Sequence, residues 1–237
     1  MGVHHFFTTP EGVRGGTVVL SGDEGHHAAR VLRLRPGERI TVADGSGRVF
    51  EAVVKTLSGE VEADIVDVHD VSVPRPMITI HQALMKGDRM DGMIEKSVEL
   101  GVSRISPFVA ERSIVRWDDS RKQKALERWM TITLSAAKQS RSPWLAAVDP
   151  VGASVPDVAA IVLHEDATAR LRDVLPPDAP DDISFVVGPE GGLSEAEVGR
   201  LVLSGSTVVS LGERILRTET AGPAAAAIVA FVYGNLG

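Results

Sequence analysis

Beyond residue 76, short apolar runs alternate with amphipathic segments, and this alternation constrains the fold more than any other feature of the chain. The apolar runs have the length and the β-branched content of buried strands. The strand-like runs are ITIHQAL, ISPFVAE, AAIVLHE, ISFVVGPEGG and TVVSLG, and the helix-like segments are DRMDGMIEKSVELG, SRKQKALERWMTITLSAAKQ, SEAEVGRLVL and ETAGPAAAAIVAFVYG. Such alternation predicts an α/β fold, with a mostly parallel sheet covered by helices on both faces.

Two of these helices carry their own boundary signals. Gly101 follows the first helical segment and suits a left-handed C-cap. Ser194 precedes another helical segment, and Glu197 stands three residues further on, which together predict a capping box.

The chain before Val71 is β-rich, with the strand-like runs GTVVLSG, RITVADGSGRVFEAVVKTL and VEADIVDVHD. Within the second run, DGSG predicts a hairpin turn. His26–Leu34 have helical spacing and stop at Pro36 and Gly37. VSVPRP then disfavours both helix and continuous sheet pairing. We therefore predict a small N-terminal β-rich domain over residues 1–72 and a larger α/β domain over residues 73–237.

Composition excludes several classes of protein. No apolar run approaches the length of about 20 residues that spans a bilayer, and no secretory signal stands at the N-terminus. The chain has no cysteine, which excludes disulfides, thiolate metal sites and a cysteine nucleophile. We expect a cytoplasmic protein with no membrane association and no metal.

The net charge of −7 argues against nucleic acid as a partner, but the charge is unevenly distributed. Residues 86–144 carry 12 Lys and Arg against 8 Asp and Glu, and RVLRLRPGER holds four arginines in ten residues. A local basic surface can bind phosphate even on an acidic protein. The alternative is that these side chains form solvated faces.

Three of the predicted strands end in unusual loops. These loops are VLHED at Val162–Asp166, VVGPEGGLS at Val186–Ser194, and SLGERILRTETAG at Ser210–Gly222. In open α/β sheets, ligands bind beyond the carboxyl ends of the strands. If the three strands are parallel neighbours, the loops lie on one edge of the sheet and form one site.

The glycine-rich loop GPEGG differs from the known nucleotide motifs. No Lys-Ser or Lys-Thr follows it, as a phosphate loop requires, and its spacing is not that of the dinucleotide fingerprint. Taken alone it also fits an ordinary strand-to-helix turn. LRTETAG offers polar side chains and free N–H groups at the start of a helix. The alternative there is a plain helix cap, with Thr218 or Thr220 as the N-cap.

An ordered set of motifs along the chain resembles one family. VGPEGGLSEAEV, followed by LGERILRTETA, resembles the C-terminal motifs of the SPOUT class of RNA methyltransferases. HHAARVLRLRPGE, IEKSVELGV with PFVAERS, and KQSRSPW narrow the resemblance to the bacterial family that methylates N3 of a uridine in 16S ribosomal RNA. The resemblance covers roughly residues 5–235.

The resemblance implies a PUA-like N-terminal domain that helps to bind RNA. It also implies a C-terminal domain tied into a trefoil knot, a homodimer, and S-adenosylmethionine as cofactor. His164 would border the cofactor slot, or alternatively be a strand-end histidine with a backbone partner. The cofactor contacts that the resemblance implies come from the backbone of Gly188, Gly191, Leu211, Gly212, Leu216, Thr218 and Ala221.

Methylation of N3 requires that the uracil lose the N3 hydrogen, so the site needs a base or donors that favour the imide anion. Glu190 and Glu219 are candidate bases, and Arg112 and Arg217 are candidate anion stabilisers. The alternative is that Arg217 and Glu219 pair with each other and hold the loop.

Candidate contacts to the RNA phosphates come from two stretches of the chain. Arg30, Arg33 and Arg35 belong to the N-terminal motif, and at helical spacing Arg30 and Arg33 fall on one face. Lys138 and Arg141 would add RNA contacts from the other domain or belong to a partner subunit's site. The expected partner is 16S rRNA or the small ribosomal subunit.

Three other functions compete with this interpretation. A related enzyme of the SPOUT class would act on another RNA, including tRNA. A non-catalytic RNA-binding assembly factor would keep the fold, although intact glycine and LRTET loops argue against it. A nucleotide-binding oxidoreductase would need a glycine fingerprint and a ribose-binding acid, and both are absent here.

Overall fold

A computed structural model of the chain describes residues 3–236. These residues form two compact units. One unit contains the chain up to Val73 together with Ala137–Leu145, and the other contains Pro74–Ala136 and the chain from Ala146 onward. The inclusion of Ala137–Leu145 in the first unit has no signal in the sequence pattern.

The first unit is built on a six-stranded mixed sheet in the order β1-β4-β5-β6-β3-β2. Its strands are β1 (His4–Phe7), β2 (Val13–Arg14), β3 (Thr17–Leu20), β4 (Arg39–Ala43), β5 (Arg48–Thr56) and β6 (Val61–Asp70). Only β1 and β4 pair in parallel, and the other neighbours are antiparallel. The four strands predicted in this part of the chain are confirmed, whereas β1 and β2 have no clear pattern in the sequence.

The predicted hairpin turn joins β4 to β5. Ala43 pairs with Val49 across the antiparallel ladder, and the Asp44 carboxylate accepts hydrogen bonds from the backbone N–H groups of Ser46, at 2.8 Å, and Arg48, at 3.2 Å. An aspartate that bonds its own backbone two residues on is a standard turn former. The hairpin prediction is therefore confirmed together with its cause.

The predicted helix over His26–Leu34 is displaced toward the N-terminus. It consists of α1 (Gly22–His26), continued by a π-helical turn at His27–Val31. Arg33 follows with a φ of +55°, in the left-handed region, and the Leu34 N–H donates to the Ala28 carbonyl at 3.1 Å. The expectation that Arg30 and Arg33 share one helical face is thus wrong, because the helix has ended before Arg33.

The segment Ala137–Leu145 packs on the β4–β5 turn. The Gly47 N–H donates to the Pro143 carbonyl at 3.1 Å, and the Leu145 N–H donates to the Gly45 carbonyl at 3.0 Å. Trp144 covers Gly47 so closely that a Cβ added there would lie 2.3 Å from the indole ring. Backbone bonds and one aromatic side chain thus fix this segment in the first unit.

The second unit contains a six-stranded, wholly parallel sheet in the order β12-β10-β11-β7-β8-β9. Its strands are β7 (Met77–Ala83), β8 (Arg104–Phe108), β9 (Ala147–Val148), β10 (Ile161–Leu163), β11 (Asp182–Val187) and β12 (Thr207–Val209). Its helices are α2 (Arg89–Glu99), α3 (Asp119–Ser140), α4 (Leu171–Val174), α5 (Glu195–Leu203) and α6 (Thr218–Val232), with the last turn of α3 in the first unit. The predicted α/β class is confirmed.

The helix boundaries follow the predicted signals. Gly101 has a φ of +82° and follows Leu100, the C-cap of α2. Ser194 with Glu197 forms the complete capping box of α5. Gly222 lets α6 approach the sheet, since a Cβ there would lie 3.2 Å from the side chain of Ile80. The trefoil knot stays a prediction that rests on the resemblance.

Over residues 3–236, no helix is both long and apolar enough to cross a bilayer, and no cluster of His, Cys, Asp and Glu side chains could hold a metal ion.

Two glycines of the first unit allow a test of how much the Trp144 contact contributes. Gly47 and Gly59 both have positive φ, +99° and +86°, but only Gly47 has a neighbour at the Cβ position. We expect Gly59→Ala to cost about 1–2 kcal/mol for the left-handed backbone. Gly47→Ala should cost about 1–3 kcal/mol more, because the indole must move. Urea unfolding of both variants measures the difference, and equal losses would contradict a close Trp144 contact.

Candidate functional site

The carboxyl ends of four parallel strands are level in the sheet of the second unit. Leu163 at the end of β10 pairs with Val187 at the end of β11 and with Val209 at the end of β12. Val187 pairs in turn with Gln82, near the end of β7. The three loops that follow β10, β11 and β12 therefore begin side by side on one edge, as the sequence predicts.

These loops enclose a cavity of about 440 Å³, which is within the usual range of small-molecule sites. A smaller pocket of about 60 Å³ adjoins it and shares several of its lining residues. The cavity is lined by Arg89, Leu163, His164, Glu165, Val187, Gly188, Pro189, Glu190, Gly192, Leu193, Ile215, Leu216, Arg217, Thr218, Glu219 and Ala221. Leu211 and Gly212 line the smaller pocket, together with Leu216 and Ala221.

Glycine is required at two of these positions for different reasons. A Cβ on Gly188 would lie 3.0 Å from the backbone nitrogen of Leu193, so a side chain there would push the turn open. Gly212 has open space around it but a φ of +129°, which other residues rarely adopt. At both glycines, main chain without a side chain therefore forms part of the wall of a pocket.

Thr218 ties the start of α6 to two neighbouring elements. Its hydroxyl donates to the Gly188 carbonyl and accepts a hydrogen bond of 3.0 Å from Nε2 of Gln82. The expectation that Thr218 or Thr220 is the N-cap is wrong, because Arg217 holds that position and makes no side-chain cap. The Thr218 hydroxyl serves contacts across the sheet edge instead.

Gln82 is a functional candidate that the sequence did not reveal. It is fully buried, and its Oε1 has no hydrogen-bond partner in residues 3–236. Its Nε2 also donates to the Ala83 carbonyl at 3.2 Å. Within ITIHQAL, a single glutamine is indistinguishable from a solvent-facing strand residue, so its position under the loops could not be foreseen.

Arg89 is a second residue that sequence reasoning missed. It stands at the start of α2, and its Nη1 lies 2.9 Å from Oε1 of Glu190. Its Nε lies 3.9 Å from Oε1 of Glu219. The two candidate bases therefore share one cation in the cavity wall.

Arg217 lies in the cavity wall, and its side chain is exposed, with no hydrogen bond or ion pair to any residue from 3 to 236. The alternative in which Arg217 and Glu219 pair with each other is wrong, since Arg89 is the cation beside Glu219. Arg217 is thus available to a ligand.

Arg112 and Gly191 lie beside the cavity and do not line it. Arg112 follows β8, and its Nη1 donates to the Gly191 carbonyl at 3.3 Å. Of the four candidate catalytic residues, Arg112 is the one that is absent from the cavity wall. Gly191 is the one candidate cofactor contact that lines neither pocket.

His164 borders both pockets, as the sequence analysis anticipates. Its backbone N–H donates to the Val209 carbonyl at 2.9 Å, and its Nδ1 accepts from the Asp166 N–H at 3.2 Å. The backbone partners confirm one interpretation, while the contact of His164 with the cofactor stays a prediction.

The buried carboxylate of Glu197 holds the end of the glycine-rich loop by a hydrogen bond. Glu197 is only 2% exposed. Its two oxygens accept from the backbone N–H groups of Glu111, at 2.8 Å, and Ser194, at 2.9 Å. The Ser194 hydroxyl also donates to Glu111 at 2.6 Å. This network joins the loop after β8 to the end of the loop after β11.

The candidate RNA contacts all lie in the first unit. Arg30, Arg33 and Arg35 are exposed. Lys138 and Arg141 belong to the same unit and not to the α/β unit. Lys138 makes an ion pair of 2.5 Å with Glu24, so its charge is largely offset, whereas Arg141 is exposed and has a φ of +55°.

Both units of the chain match families of known proteins. Residues 73–230 match the RNA methyltransferase domain family, and residues 20–66 match the RNA methyltransferase PUA domain family. The ribosomal RNA small subunit methyltransferase E of Mycobacterium tuberculosis is 39% identical, with 89% of this chain and 85% of that protein aligned. The protein of that name from Bacillus subtilis is 31% identical, with 86% of each aligned.

Solved structures of similar proteins include members of the same family and methyltransferases. A ribosomal RNA small subunit methyltransferase E from Neisseria gonorrhoeae bound to S-adenosyl methionine is 35% identical, with a TM-score of 0.86 over 98% of each chain. A Legionella pneumophila methyltransferase with bound S-adenosyl methionine is 29% identical, with a TM-score of 0.86 over 98% of this chain and 99% of that one.

The fold and these matches define an RNA methyltransferase that carries a PUA domain. Within that class, the chain belongs to the ribosomal RNA small subunit methyltransferase E family. The resemblance noted from the sequence motifs is thereby confirmed.

The hydrogen bonds of Thr218 can be tested against those of a neighbour. Thr218→Val keeps the shape of the side chain but removes the hydroxyl donor of the Gly188 carbonyl and one of the two hydrogen bonds of the buried Gln82 amide nitrogen. Leaving such groups unsatisfied costs about 1–3 kcal/mol. Thr220→Val, at an exposed position of the same helix, should change the free energy of unfolding by less than about 0.5 kcal/mol. Urea denaturation compares the two, and equal small effects would contradict the importance of the Thr218 contacts.

Proposed function

We propose that this protein transfers a methyl group from S-adenosylmethionine to N3 of a uridine in 16S rRNA of the small ribosomal subunit. The observation that carries the proposal is the cavity formed by the three strand-end loops. Its walls combine glycine-rich main chain, apolar side chains and charged side chains of both signs, and no lysine is among the lining residues described. Apolar side chains beside charges of both signs suit a zwitterionic ligand that also has an apolar part.

The residues present fit the cofactor. An adenine needs an apolar slot, which Leu163, Val187, Leu193 and Leu216 provide. The ribose and amino acid groups need backbone donors and acceptors, which the glycine turn and the first turn of α6 provide. When bound, the cofactor supplies a methyl group on a positively charged sulfonium.

The chain's own residues have two tasks in such a reaction. A carboxylate must receive the N3 hydrogen of the uracil, and Glu190 and Glu219 are the carboxylates proposed from the sequence for this task. A cation must favour the negative charge that then spreads over the two carbonyl oxygens. Arg217 suits this second task because its guanidinium has no other partner in residues 3–236.

RNA recognition is assigned in this proposal to the first unit. N3 lies on the Watson–Crick edge, so the target base must be unpaired or flipped out of its helix. Arg30, Arg33 and Arg35 are exposed cations that suit phosphate oxygens. The left-handed backbone of Arg33 supports this role, since strained exposed residues are concentrated at functional sites.

The proposal includes a homodimer. The outer side of α6 exposes several large apolar side chains, of which Phe231 is 69% exposed and Val232 is 51% exposed. Apolar patches of this kind are typical of protein–protein interfaces. A second copy of the chain is the partner that we propose for this surface.

The decisive experiment maps modified nucleosides in rRNA from a strain that lacks this gene, with and without the chain restored. We expect one 3-methyluridine in 16S rRNA to disappear and to return, and the purified protein to bind S-adenosylmethionine in calorimetry. Binding of the cofactor with modification of a tRNA instead would favour the related enzyme. An absence of both binding and modification would favour the assembly factor.

Arg217→Ala should separate catalysis from folding. The side chain is exposed and has no hydrogen bond or ion pair within residues 3–236, so the free energy of unfolding should change by less than about 0.5 kcal/mol. Loss of an anion-stabilising donor should reduce the methylation rate by about 100-fold or more. Arg200→Ala, an exposed arginine on α5 outside the cavity, is the control. Methylation by Arg217→Ala at the wild-type rate would remove this residue from the mechanism.

A further inference from the structure

The two carboxylates of the cavity, Glu190 and Glu219, have different surroundings. Oε1 of Glu190 lies 2.9 Å from Nη1 of Arg89 and accepts a long hydrogen bond of 3.5 Å from the Lys86 N–H. Glu219 has only the more distant guanidinium nitrogen of Arg89, at 3.9 Å from its Oε1. Its Oε2 is buried and has no donor among residues 3–236. Arg89 thus forms a close ion pair with Glu190, whereas Oε2 of Glu219 keeps an unused acceptor site in residues 3–236.

A buried carboxylate oxygen without a donor is an unfavourable state that a bound N–H group would relieve. Glu219 lies in the first turn of α6 and lines the cavity, so a rotation of its carboxylate group would bring this oxygen to a ligand there. Glu190 gains less from the same ligand, because Arg89 already offsets its negative charge at 2.9 Å.

We propose that Glu219, and not Glu190, is the carboxylate that accepts a hydrogen bond from an N–H group of the bound ligands. Arg89 is the positioning residue, because its ion pair with Glu190 leaves Glu219 to the ligand. This inference rests on the proposed function. Two N–H groups have the required chemistry: the imide N3–H of the uracil and the ammonium group of the cofactor's amino acid. The side chain of Arg89 is 43% exposed and also lines the cavity, so it can adjust as the ligands enter.

If the uracil is the source, the step is a proton transfer. The N3 proton moves to Glu219, and the electron pair that it leaves on the imide forms the new bond between N3 and the methyl carbon. The bond between that carbon and sulfur breaks, its electron pair stays on sulfur, and Glu219 later releases the proton to solvent. If the ammonium is the source, no proton needs to move, and Glu219 binds it as an ion pair.

The test compares single charge-removing substitutions in the full chain, acting on small ribosomal subunits that lack the modification. Glu219→Gln should lower kcat by about 100-fold or more with unchanged cofactor affinity if the source is N3–H. It should weaken S-adenosylmethionine binding by about tenfold or more, with kcat largely retained at saturation, if the source is the ammonium. Glu195→Gln, at an exposed position of α5, is the matched control. Losses in both quantities of less than twofold, or a Glu190→Gln variant that loses as much as Glu219→Gln, would overturn the proposal.

Arg89 is tested by its coupling to Glu219. If Arg89 acts through Glu219, Arg89→Ala combined with Glu219→Gln should lose no more activity than Glu219→Gln alone. Arg89→Lys keeps the charge and should recover part of what Arg89→Ala loses. Losses that multiply in the double variant, with no recovery by lysine, would mean that Arg89 only supports the fold of α2.

Failure of this inference is distinguishable from failure of the proposed function. A wild-type protein that binds the cofactor but methylates no uridine in 16S rRNA would refute the function. The inference fails when the wild-type protein is active and Glu219→Gln retains both its kcat and its cofactor affinity. Thermal unfolding of each variant identifies any loss that comes from misfolding.

Discussion

The structure depends on the parallel register of the second sheet. Because Leu163, Val187 and Val209 are paired across three neighbouring strands, the loops that follow them leave the sheet at the same height. Antiparallel pairing, or a shift of a few residues, would send at least one loop elsewhere and leave no shared cavity. Strand register thus positions the loops that form the cavity of about 440 Å³, and the side chains then determine what the cavity can bind.

Register alone leaves loops free to move, and a few polar side chains limit that freedom. Thr218 connects α6 to the glycine turn and to Gln82 of β7. Glu197 connects the far end of the same turn to the loop after β8. Most of these groups are buried, where a satisfied hydrogen bond holds geometry well and an unsatisfied one is costly. Such preorganisation reduces the entropy that ligand binding must overcome.

The sequence predicts those features of the fold that short-range residue patterns determine. The alternation of strands and helices, the capping box at Ser194 and the turn at Asp44 all depend on residues a few positions apart, and the structure confirms them. It does not predict contacts between distant residues. Arg89 and Glu190 are 101 positions apart, and nothing in the spacing of either one indicates their ion pair. The packing of Trp144 on Gly47 is missed for the same reason.

The charges around the two pockets explain how an acidic protein can serve an anionic substrate and a cationic cofactor. The lining contains Arg89, Arg214 and Arg217 together with Glu165, Glu190 and Glu219. Equal numbers of arginine and glutamate leave the cavity without a strong field of its own, so neither a sulfonium nor an RNA phosphate is repelled on approach. Discrimination between the negative charge of the substrate and the positive charge of the cofactor must then come from individual side chains. The Arg217 guanidinium, which has no partner in the described part of the chain, suits negative charge that develops on a base, and the buried oxygen of Glu219 suits an N–H donor. The same cavity can therefore hold a cation and stabilise an anion, because Arg89 pairs closely with Glu190 and leaves Oε2 of Glu219 without a donor among residues 3–236.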